Sequence, residues 1–285
     1  MKKKIKIAFS DFWGGFNYDP TKSNIGDNGL FEMMSEKFDI EMDQSNPDYL
    51  IYSVFGTNHL SYKCKKIFYT GENIRPDFNQ CDYALTFDYM DNPKNFRFPL
   101  SAINLYEGGI RDSFRKDIDF VQIKKEKTRF CNFIFSNTAP NSPRNELFAK
   151  ISAYKKVDAG GRVLNNIGYL VGDKLEFVNT CKFTICFENS ESPGYTTEKL
   201  IHPKLVNSIP IYWGNPDVGK DWNTKAFVNA YDFSDLDAIV EFVKQLDNDD
   251  DLYQQMLMEP HCNTRELAHD LNYKNMLDYL DKIFL

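Results

Sequence analysis

The chain alternates short apolar runs with polar breaks marked by Gly, Pro, Asn or Asp. Ile5, Ile7 and Phe9 alternate with other positions, the period-two pattern of a strand over Lys4 to Phe9. Tyr49 to Phe55 is almost continuously apolar, as expected of a strand buried on both faces of a parallel sheet. Ile67 to Thr70 and Tyr83 to Phe87 repeat the motif. Phe130 to Phe135, Phe183 to Phe187, Ile209 to Trp213 and Ala226 to Asn229 do so in the second half. Between these runs the apolar spacing becomes helical. Leu30, Phe31, Met34 and Phe38 follow Asp27 or Asn28 as cap. Leu147, Phe148, Ile151 and Tyr154 follow Ser142 as N-cap and Pro143 at the first helical position. Lys174 to Thr180 reads as a short helix. Leu236, Ile239, Val240, Val243 and Leu246 follow Ser234, residues 249–258 are amphipathic, and Met276, Tyr279, Leu280 and Ile283 share a face. Strands alternating with helices predict α/β architecture with parallel sheets.

Residues 111–129 break this rhythm: charges crowd there and apolar positions are sparse. The stretch is expected to be an interdomain connection carrying a short helix or loop. This places a boundary near residue 127, with an N-terminal domain over 1–127 and a C-terminal domain over 128–285. A helix at 273–285 is able to pack back on the first domain. A length of 285 residues suits one large or two ordinary domains.

Composition narrows the function classes. With 42% hydrophobic and 26% charged residues the chain reads as soluble and globular. Aromatics reach 15%, which serves large cores and also surfaces on which sugars stack. A formal charge of −7 gives no general attraction for nucleic acid or an anionic membrane, so an anionic substrate must meet a local basic site. No run approaches the roughly 18 apolar residues of a membrane-spanning helix. The strand pattern after Met1 to Lys4 is too short for the apolar core of a signal peptide. Six cysteines without a C-x-x-C pair predict reduced, buried thiols and a cytoplasmic location. The four histidines lack ligand spacing to them, so no zinc site is expected. Neither G-x-x-x-x-G-K-[ST] nor G-x-G-x-x-G occurs, which argues against a P-loop nucleotidase and a dinucleotide oxidoreductase. The D-x-D patterns at Asp117 and Asp119, Asp235 and Asp237, and Asp247 and Asp249 read as helix caps or charged loops rather than metal ligands.

The candidate chemistry concentrates in Lys182 to Asp217, which reads as strand, polar loop, helix and strand. Such a unit is a parallel crossover, and α/β folds bind ligands above the strand ends. Asn189, Tyr195, Glu198 and Lys199 lie there, in a loop or first helical turn that starts near Tyr195 to Thr197. A helix N-terminus favours an anion. Lysine in a first turn opposes the dipole; a bound phosphate is one reason for it, and a side chain reaching solvent is the other. Arg144 occupies a second junction of this kind, as a phosphate ligand or an exposed helix-start arginine. Gly160 and Gly161 open a Gly- and Asn-rich bend where close backbone approach is expected. Glu72, between Gly71 and Asn73 after a strand, is placed for general base chemistry or is a solvated loop glutamate. Trp13, in the loop Asp11 to Asn17, is a sugar-stacking surface or part of an apolar plug.

The wording of these stretches is specific. F-E-N-S-x(4)-Y-x-T-E-K-L from Phe187, followed by I-P-I-Y-W-G from Ile209, closely resembles the donor-site signature of the α1,3/4-fucosyltransferases of glycosyltransferase family 10, in their bacterial form. T-G-E-N-x-x-P-D-F from Thr70, D-Y-A-x-x-F-D from Asp82, Phe96 to Leu100, and S-N-x-A-P-x-x-x-R-N from Ser136 resemble further motifs of that family. The resemblance implies a GT-B type α/β fold, two Rossmann-like domains facing a central cleft. It implies inverting transfer of L-fucose from GDP-fucose to a hydroxyl of N-acetylglucosamine or glucose in a lactosamine-type glycan, α1,3 or α1,3/4. Glu72 would be the base. Arg144 and Lys199 would meet the diphosphate. Asn189 and Glu198 would meet sugar or ribose hydroxyls, with Glu198 also stabilising the transition state. Tyr195 would pack against the nucleotide sugar, and Trp13 and Asn73 would contact the acceptor. No cofactor is obligatory on this reading, and a divalent metal is at most a stimulant. The acceptor would be N-acetyllactosamine-like or a surface glycan, of Lewis antigen or lipopolysaccharide type. No C-terminal heptads or basic tail follow, so the location expected is cytoplasmic or loosely membrane-associated. A same-fold transferase with another nucleotide sugar, or a non-catalytic glycan-binding protein, remains an alternative; Glu72 alongside the donor residues argues against the latter.

Overall fold

A computed structural model describes residues 2–13, 29–107, 118–138, 142–263 and 267–284. The chain forms two compact units, Met1–Gly109 with Ala268–Leu285, and Ile110–Leu267.

The first unit holds, among the described residues, a six-stranded sheet. Its strands are β1 (Lys3–Ser10), β2 (Phe38–Met42), β3 (Tyr49–Tyr52), β4 (Lys65–Tyr69), β5 (Tyr83–Thr86) and β6 (Asn95–Arg97). They lie in the order β2-β1-β3-β4-β5-β6 and pair in parallel. All four residues of β3 are buried, which suits its central place. Strands β2 and β3 flank β1, so the topological switch point of this sheet lies at the carboxyl end of β1. Helices α1 (Gly29–Lys37) and α2 (Leu100–Glu107) pack together, and the C-terminal helix α9 (Tyr273–Ile283) joins both. Met276, Leu277, Leu280 and Ile283 of α9 are buried. Each such side chain stabilises the packing by about 1.5–3 kcal/mol. The exposed Lys37–Asp278 pair at 2.6 Å is screened by solvent and adds little, so apolar burial docks this helix. Phe284 continues the contact, edge-on to Phe38 and Tyr49.

The second unit holds a five-stranded parallel sheet, again among the described residues. It comprises β7 (Arg129–Phe133), β8 (Val157–Ala159), β9 (Cys181–Phe187), β10 (Ile209–Trp213) and β11 (Val228–Asn229), ordered β11-β10-β9-β7-β8. Around it lie α3 (Phe120–Glu126), α4 (Arg144–Tyr154), α5 (Lys174–Asn179), α6 (Glu198–Leu205), α7 (Leu236–Asn248) and α8 (Asp250–Met258). Phe133, Leu147, Ile151, Phe183, Ile185, Ile211, Val243 and Leu246 belong to one buried core. The chain runs from β7 to β8 on one side, then crosses to β9 on the other. The switch point therefore lies between the carboxyl ends of β7 and β9.

Several elements differ from the sequence reading. Residues 118–127, placed on the amino side of the junction at 127, pack with the second unit. Ile123 enters its core, and the Lys127 ammonium donates to the carbonyls of Asn179 and Val206, each at 2.6 Å. Strand β2 starts where α1 ends, with no turn residue to mark it. Strand β8 is hidden by its brevity and by a buried Asp158, which accepts from Arg129 at 2.7 Å. Helix α2, after Pro99, was not expected. Helix α4 begins at Arg144 behind Pro143, not at Pro143 behind Ser142, and the buried Ser142 hydroxyl has no hydrogen-bond partner among the described residues. Asp235, rather than Ser234, caps α7, its carboxylate accepting the Ala238 N–H at 2.8 Å. Of Ala226 to Asn229 only Val228 and Asn229 are strand. The D-x-D patterns each contribute a cap: Asp119 to α3, Asp235 to α7 and Asp249 to α8. The proposed caps Asp27 and Asn28 lie outside the described residues, as does most of the charged stretch 111–117.

Candidate functional site

The site is built from the carboxyl end of β9. Glu188 follows that strand, and its N–H donates to the Trp213 carbonyl at 2.8 Å. Its carboxylate is fully buried and accepts the Thr197 N–H and hydroxyl, both at 2.9 Å, and pairs with Lys199 Nζ at 3.0 Å. Gly214 makes room for it. Gly214 has φ +143°, and a Cβ there would stand 2.4 Å from both Cβ and Cγ of Glu188. Thr197 is thus oriented to cap α6, its hydroxyl accepting the Lys199 N–H at 3.4 Å. The loop before the cap is clamped by buried Asn215. Its carboxamide oxygen accepts the N–H groups of Gly194 and Asp217 at 2.8 and 2.9 Å, and its nitrogen donates to the Thr196 hydroxyl at 3.0 Å. The Tyr212 hydroxyl donates to the Tyr195 carbonyl at 3.3 Å, and Tyr195 is buried.

Lys199 is the electrostatic centre. Its ammonium also lies 3.4 Å from Glu198 and donates to the Thr197 hydroxyl at 3.1 Å. Burial would lower its pKa, but Glu188 and Glu198 hold it above the ordinary lysine range. Burial pushes the Glu188 carboxyl up against the opposing pull of Lys199. Glu198 behaves differently: burial would raise it, yet Lys199, Lys174 on α5 and His202 draw it down to about 2. His202, one turn along α6 from Glu198, is pushed down to about 4 by burial and by Lys174 and Lys199, against the pull of Glu198. Its Nδ1 is buried without a hydrogen-bond partner among the described residues.

Arg144 reaches the same strand ends from the β7 side. It is fully buried. Nη1 donates to Asn189 Oδ1 at 2.9 Å, Nη2 donates to the Asn137 carbonyl, and the guanidinium lies 4.2 Å from the centre of the Phe135 ring. No carboxylate among the described residues pairs with it, and Nε has no partner. Burial pulls its pKa down to about 10. A buried cation with neutral partners costs free energy that a bound anion would recover.

The structure thus brings Arg144 together with Asn189, and Glu198 with Lys199, at the strand ends of the second unit, with Tyr195 in the intervening loop. Glu72, Asn73 and Trp13 belong to the first unit. Glu72 is exposed, three residues past β4, and its N–H donates to the Thr70 hydroxyl at 3.1 Å. Asn73 is partly buried beside it. Trp13 meets Phe12 and Phe55 edge-on, with ring centres 5.8 and 6.4 Å away; residues 14–17 of its loop lie outside the described residues. Among the described residues no group of three or more His, Cys, Asp or Glu is arranged to hold a metal ion. The sequence reading missed Glu188, Lys174, His202 and Asn215. For Glu188 a signal existed: a carboxylate directly after a buried strand, within the stretch that the sequence reads only as a polar loop.

Known proteins resemble this chain in sequence and fold. Residues 7–106 match the Alpha-(1,3)-fucosyltransferase FucT N-terminal domain, and residues 124–259 match the Glycosyltransferase family 10 (fucosyltransferase) C-terminal domain. The chain is 33% identical to Alpha-(1,3)-fucosyltransferase FucT of Helicobacter pylori over 98% of its own length and 66% of that protein. It is 31% identical to Alpha-(1,3)-fucosyltransferase B of Drosophila melanogaster over 42% of its length, spanning 30% of that relative. A crystal structure of an α1,3-fucosyltransferase superposes with a TM-score of 0.82 at 31% identity, over 99% of this chain and 90% of that one. Another, with GDP-fucose, gives 0.81 at 28% identity, over 100% and 91%.

Proposed function

The chain belongs to glycosyltransferase family 10, the fucosyltransferases, and from that premise we propose that it transfers L-fucose from GDP-fucose to a glycan hydroxyl with inversion at the anomeric carbon. Its α/β fold is of the GT-B class, with one parallel sheet in each unit. The observation that carries the reading is the buried Arg144 guanidinium, which has no carboxylate partner among the described residues, at the switch point of the second sheet, where α/β folds bind ligands. A diphosphate supplies the missing charge, and the fork of an arginine suits it.

In this mechanism Arg144 neutralises the GDP leaving group. Lys199 adds a second cation. Its three donors meet Glu188, Thr197 and, at the longer 3.4 Å, Glu198, so the third is the one able to turn to a phosphate oxygen. Asn189 and Glu198 hold sugar or ribose hydroxyls, and Tyr195 packs against the nucleotide sugar. Glu198, kept ionised by its cationic neighbours, stabilises positive charge that develops on the fucosyl ring. Glu72 takes the proton from the acceptor hydroxyl as its oxygen bonds to the anomeric carbon. The bond to GDP breaks with its electron pair on the phosphate. Trp13 and Asn73 contact the acceptor, a lactosamine-type glycan modified at O3, with O4 the second position. No metal is needed for charge that Arg144 and Lys199 already meet. The reading keeps the cytoplasm as compartment; no helix among the described residues is long and apolar enough to cross a membrane.

The test is GDP release from GDP-fucose with N-acetyllactosamine in EDTA, for wild type and Glu72→Ala, with the product linkage read by NMR. Turnover to an α1,3 product, lost in the variant while GDP-fucose still binds, is expected. Absence of both turnover and GDP-fucose binding in the wild type would overturn the reading.

A further inference from the structure

We infer that Phe55 is a specificity-determining contact for the acceptor, the surface on which the galactose of a lactosamine-type glycan stacks; this rests on the fucosyltransferase reading above. Strands β1, β3 and β4 are neighbours in the first sheet. Trp13, Phe55 and Glu72 each stand three residues beyond the carboxyl end of those strands, in that order. Adjacent strands lie about 4.8 Å apart, so the loop that carries Phe55 leaves the sheet one strand away from the proposed base, on the side of Trp13. The Trp13 and Phe55 rings meet edge-on, with centres 6.4 Å apart.

The loop after β3 holds Phe55 in place. The Phe55 N–H donates to the Asp11 carbonyl at 2.8 Å. The Asp11 carboxylate accepts the N–H groups of Asn58 and His59 at 3.0 and 2.8 Å and meets His59 Nδ1 at 2.7 Å. Gly56 lets that carboxylate in, since a Cβ there would stand 2.5 Å from Asp11 Oδ1. The buried His59 ring stacks on Tyr52 of β3 with centres 4.1 Å apart, and its Nε2 lies 3.2 Å from Gln80 Oε1. Residues 55–59 are thus fastened to the β1 loop at one end and to the sheet at the other. Phe55 heads this segment and is still 50% exposed. A lone exposed apolar side chain is ordinary. A phenyl ring on a fastened loop, beside a second aromatic ring and at the strand ends where α/β folds bind ligands, is a preformed flat face that loses little freedom when a ligand covers it.

The chemistry of that face selects the sugar. A glucose-configured ring carries equatorial hydroxyls all round. In galactose O4 is axial, and the C–H groups at C3, C4 and C5 gather on the opposite face as an apolar patch that an aromatic ring covers. N-acetyllactosamine carries such a galactose beside the N-acetylglucosamine whose hydroxyl Glu72 would deprotonate. Phe55, one strand from Glu72, is placed for that neighbour rather than for the attacked ring.

The experiment uses Phe55→Ala and Phe55→Tyr and measures GDP release from GDP-fucose with three acceptors: N-acetyllactosamine, its C4 epimer Glcβ1,4GlcNAc, and N-acetylglucosamine alone. Phe55→Ala should raise KM for N-acetyllactosamine about tenfold without a fall in kcat, the loss of one covered apolar face. The wild type should prefer N-acetyllactosamine to its epimer, and that preference should vanish in Phe55→Ala. KM for N-acetylglucosamine and for GDP-fucose should not change, and Phe55→Tyr, which keeps the ring, should behave as wild type. An unchanged KM for N-acetyllactosamine in Phe55→Ala, or an equal rise for N-acetyllactosamine and N-acetylglucosamine, would overturn the galactose contact and leave the transferase reading standing. A wild type that turns over none of the three acceptors would overturn that reading, and the contact with it.

Discussion

Arg144 and Asn189 join the two strand-end loops of the second unit: the guanidinium donates to the carboxamide oxygen at 2.9 Å, from a position with no exposed surface. Neither neighbour of the guanidinium, Asn189 or the Asn137 carbonyl, carries charge. A buried charge among neutral partners is therefore less stable there than an apolar side chain of the same shape would be. Replacing Arg144 by Met, of similar length, should leave the ligand-free protein as stable or about 1 kcal/mol more so. GDP should raise the melting temperature of the wild type and not of the variant. A variant that melts lower and still gains from GDP would place the diphosphate elsewhere.

Glu188 poses the opposite case, a buried charge with its counterion. Glu188→Gln keeps the acceptor for the Thr197 N–H but removes the partner that Lys199 holds at 3.0 Å. Lys199 then keeps only Glu198, at 3.4 Å, and the weakened pairing of a buried charge should cost about 2 kcal/mol, read as a lower urea midpoint at constant m-value. The double variant Glu188→Gln with Lys199→Met should recover part of that loss, because it removes the poorly paired ammonium. No recovery would mean that the hydrogen bonds to Thr197, not the ion pair, carry the stability.

Acid stability should fall in two windows. The His202 pKa is depressed to about 4, so the unfolded chain binds that proton first. Its contribution is complete above the ordinary histidine value near 6.5 and is lost as pH drops toward 4. The Glu198 pKa is depressed to about 2, and its contribution is complete above about 4.5 and lost as pH falls through 2. His202→Gln should flatten the stability curve between pH 6.5 and 4, and Glu198→Gln the part below 4.5. Urea midpoints across pH 2–8 measure both, and a wild-type slope left intact by either substitution would remove that group from the account.

These contrasts follow from what a sequence can carry. Apolar runs such as Phe183 to Phe187 and Ile209 to Trp213 declare their strands locally, and both appear where periodicity puts them. Arg144 and Asn189 stand 45 residues apart and meet only because β7 and β9 are neighbours, which spacing does not state. Their family motifs marked them individually, without that contact. Glu188 was hidden for another reason. Its partners Thr197 and Lys199 are near in sequence, but burial is what turns a turn-forming glutamate into an anchor. Helix starts failed where two capping residues adjoin, as at Ser234 and Asp235, because the carboxylate is the stronger acceptor.

Gly214 offers the sharpest test of how the anchor is seated. Two independent constraints meet there. Its φ of +143° is strained for any L side chain, and a Cβ would stand 2.4 Å from the Cβ and Cγ of Glu188. The Glu188 Cβ is fixed by the backbone that leaves β9, so a rotamer change, which moves only Cγ and the atoms beyond it, cannot clear the clash. Gly214→Ala should therefore cost about 3 kcal/mol or more and should also release Lys199 from Glu188. Gly172→Ala is the matched control, since nothing lies within 4 Å of its Cβ and its φ falls outside the disfavoured range. That substitution should be neutral or stabilising by about 0.5 kcal/mol, by restricting the unfolded chain. Urea unfolding of the two variants measures the difference. Equal midpoints would mean that the loop after β10 can shift to admit a methyl group, and that Glu188 is held by its hydrogen bonds to Thr197 rather than by the close approach of Gly214.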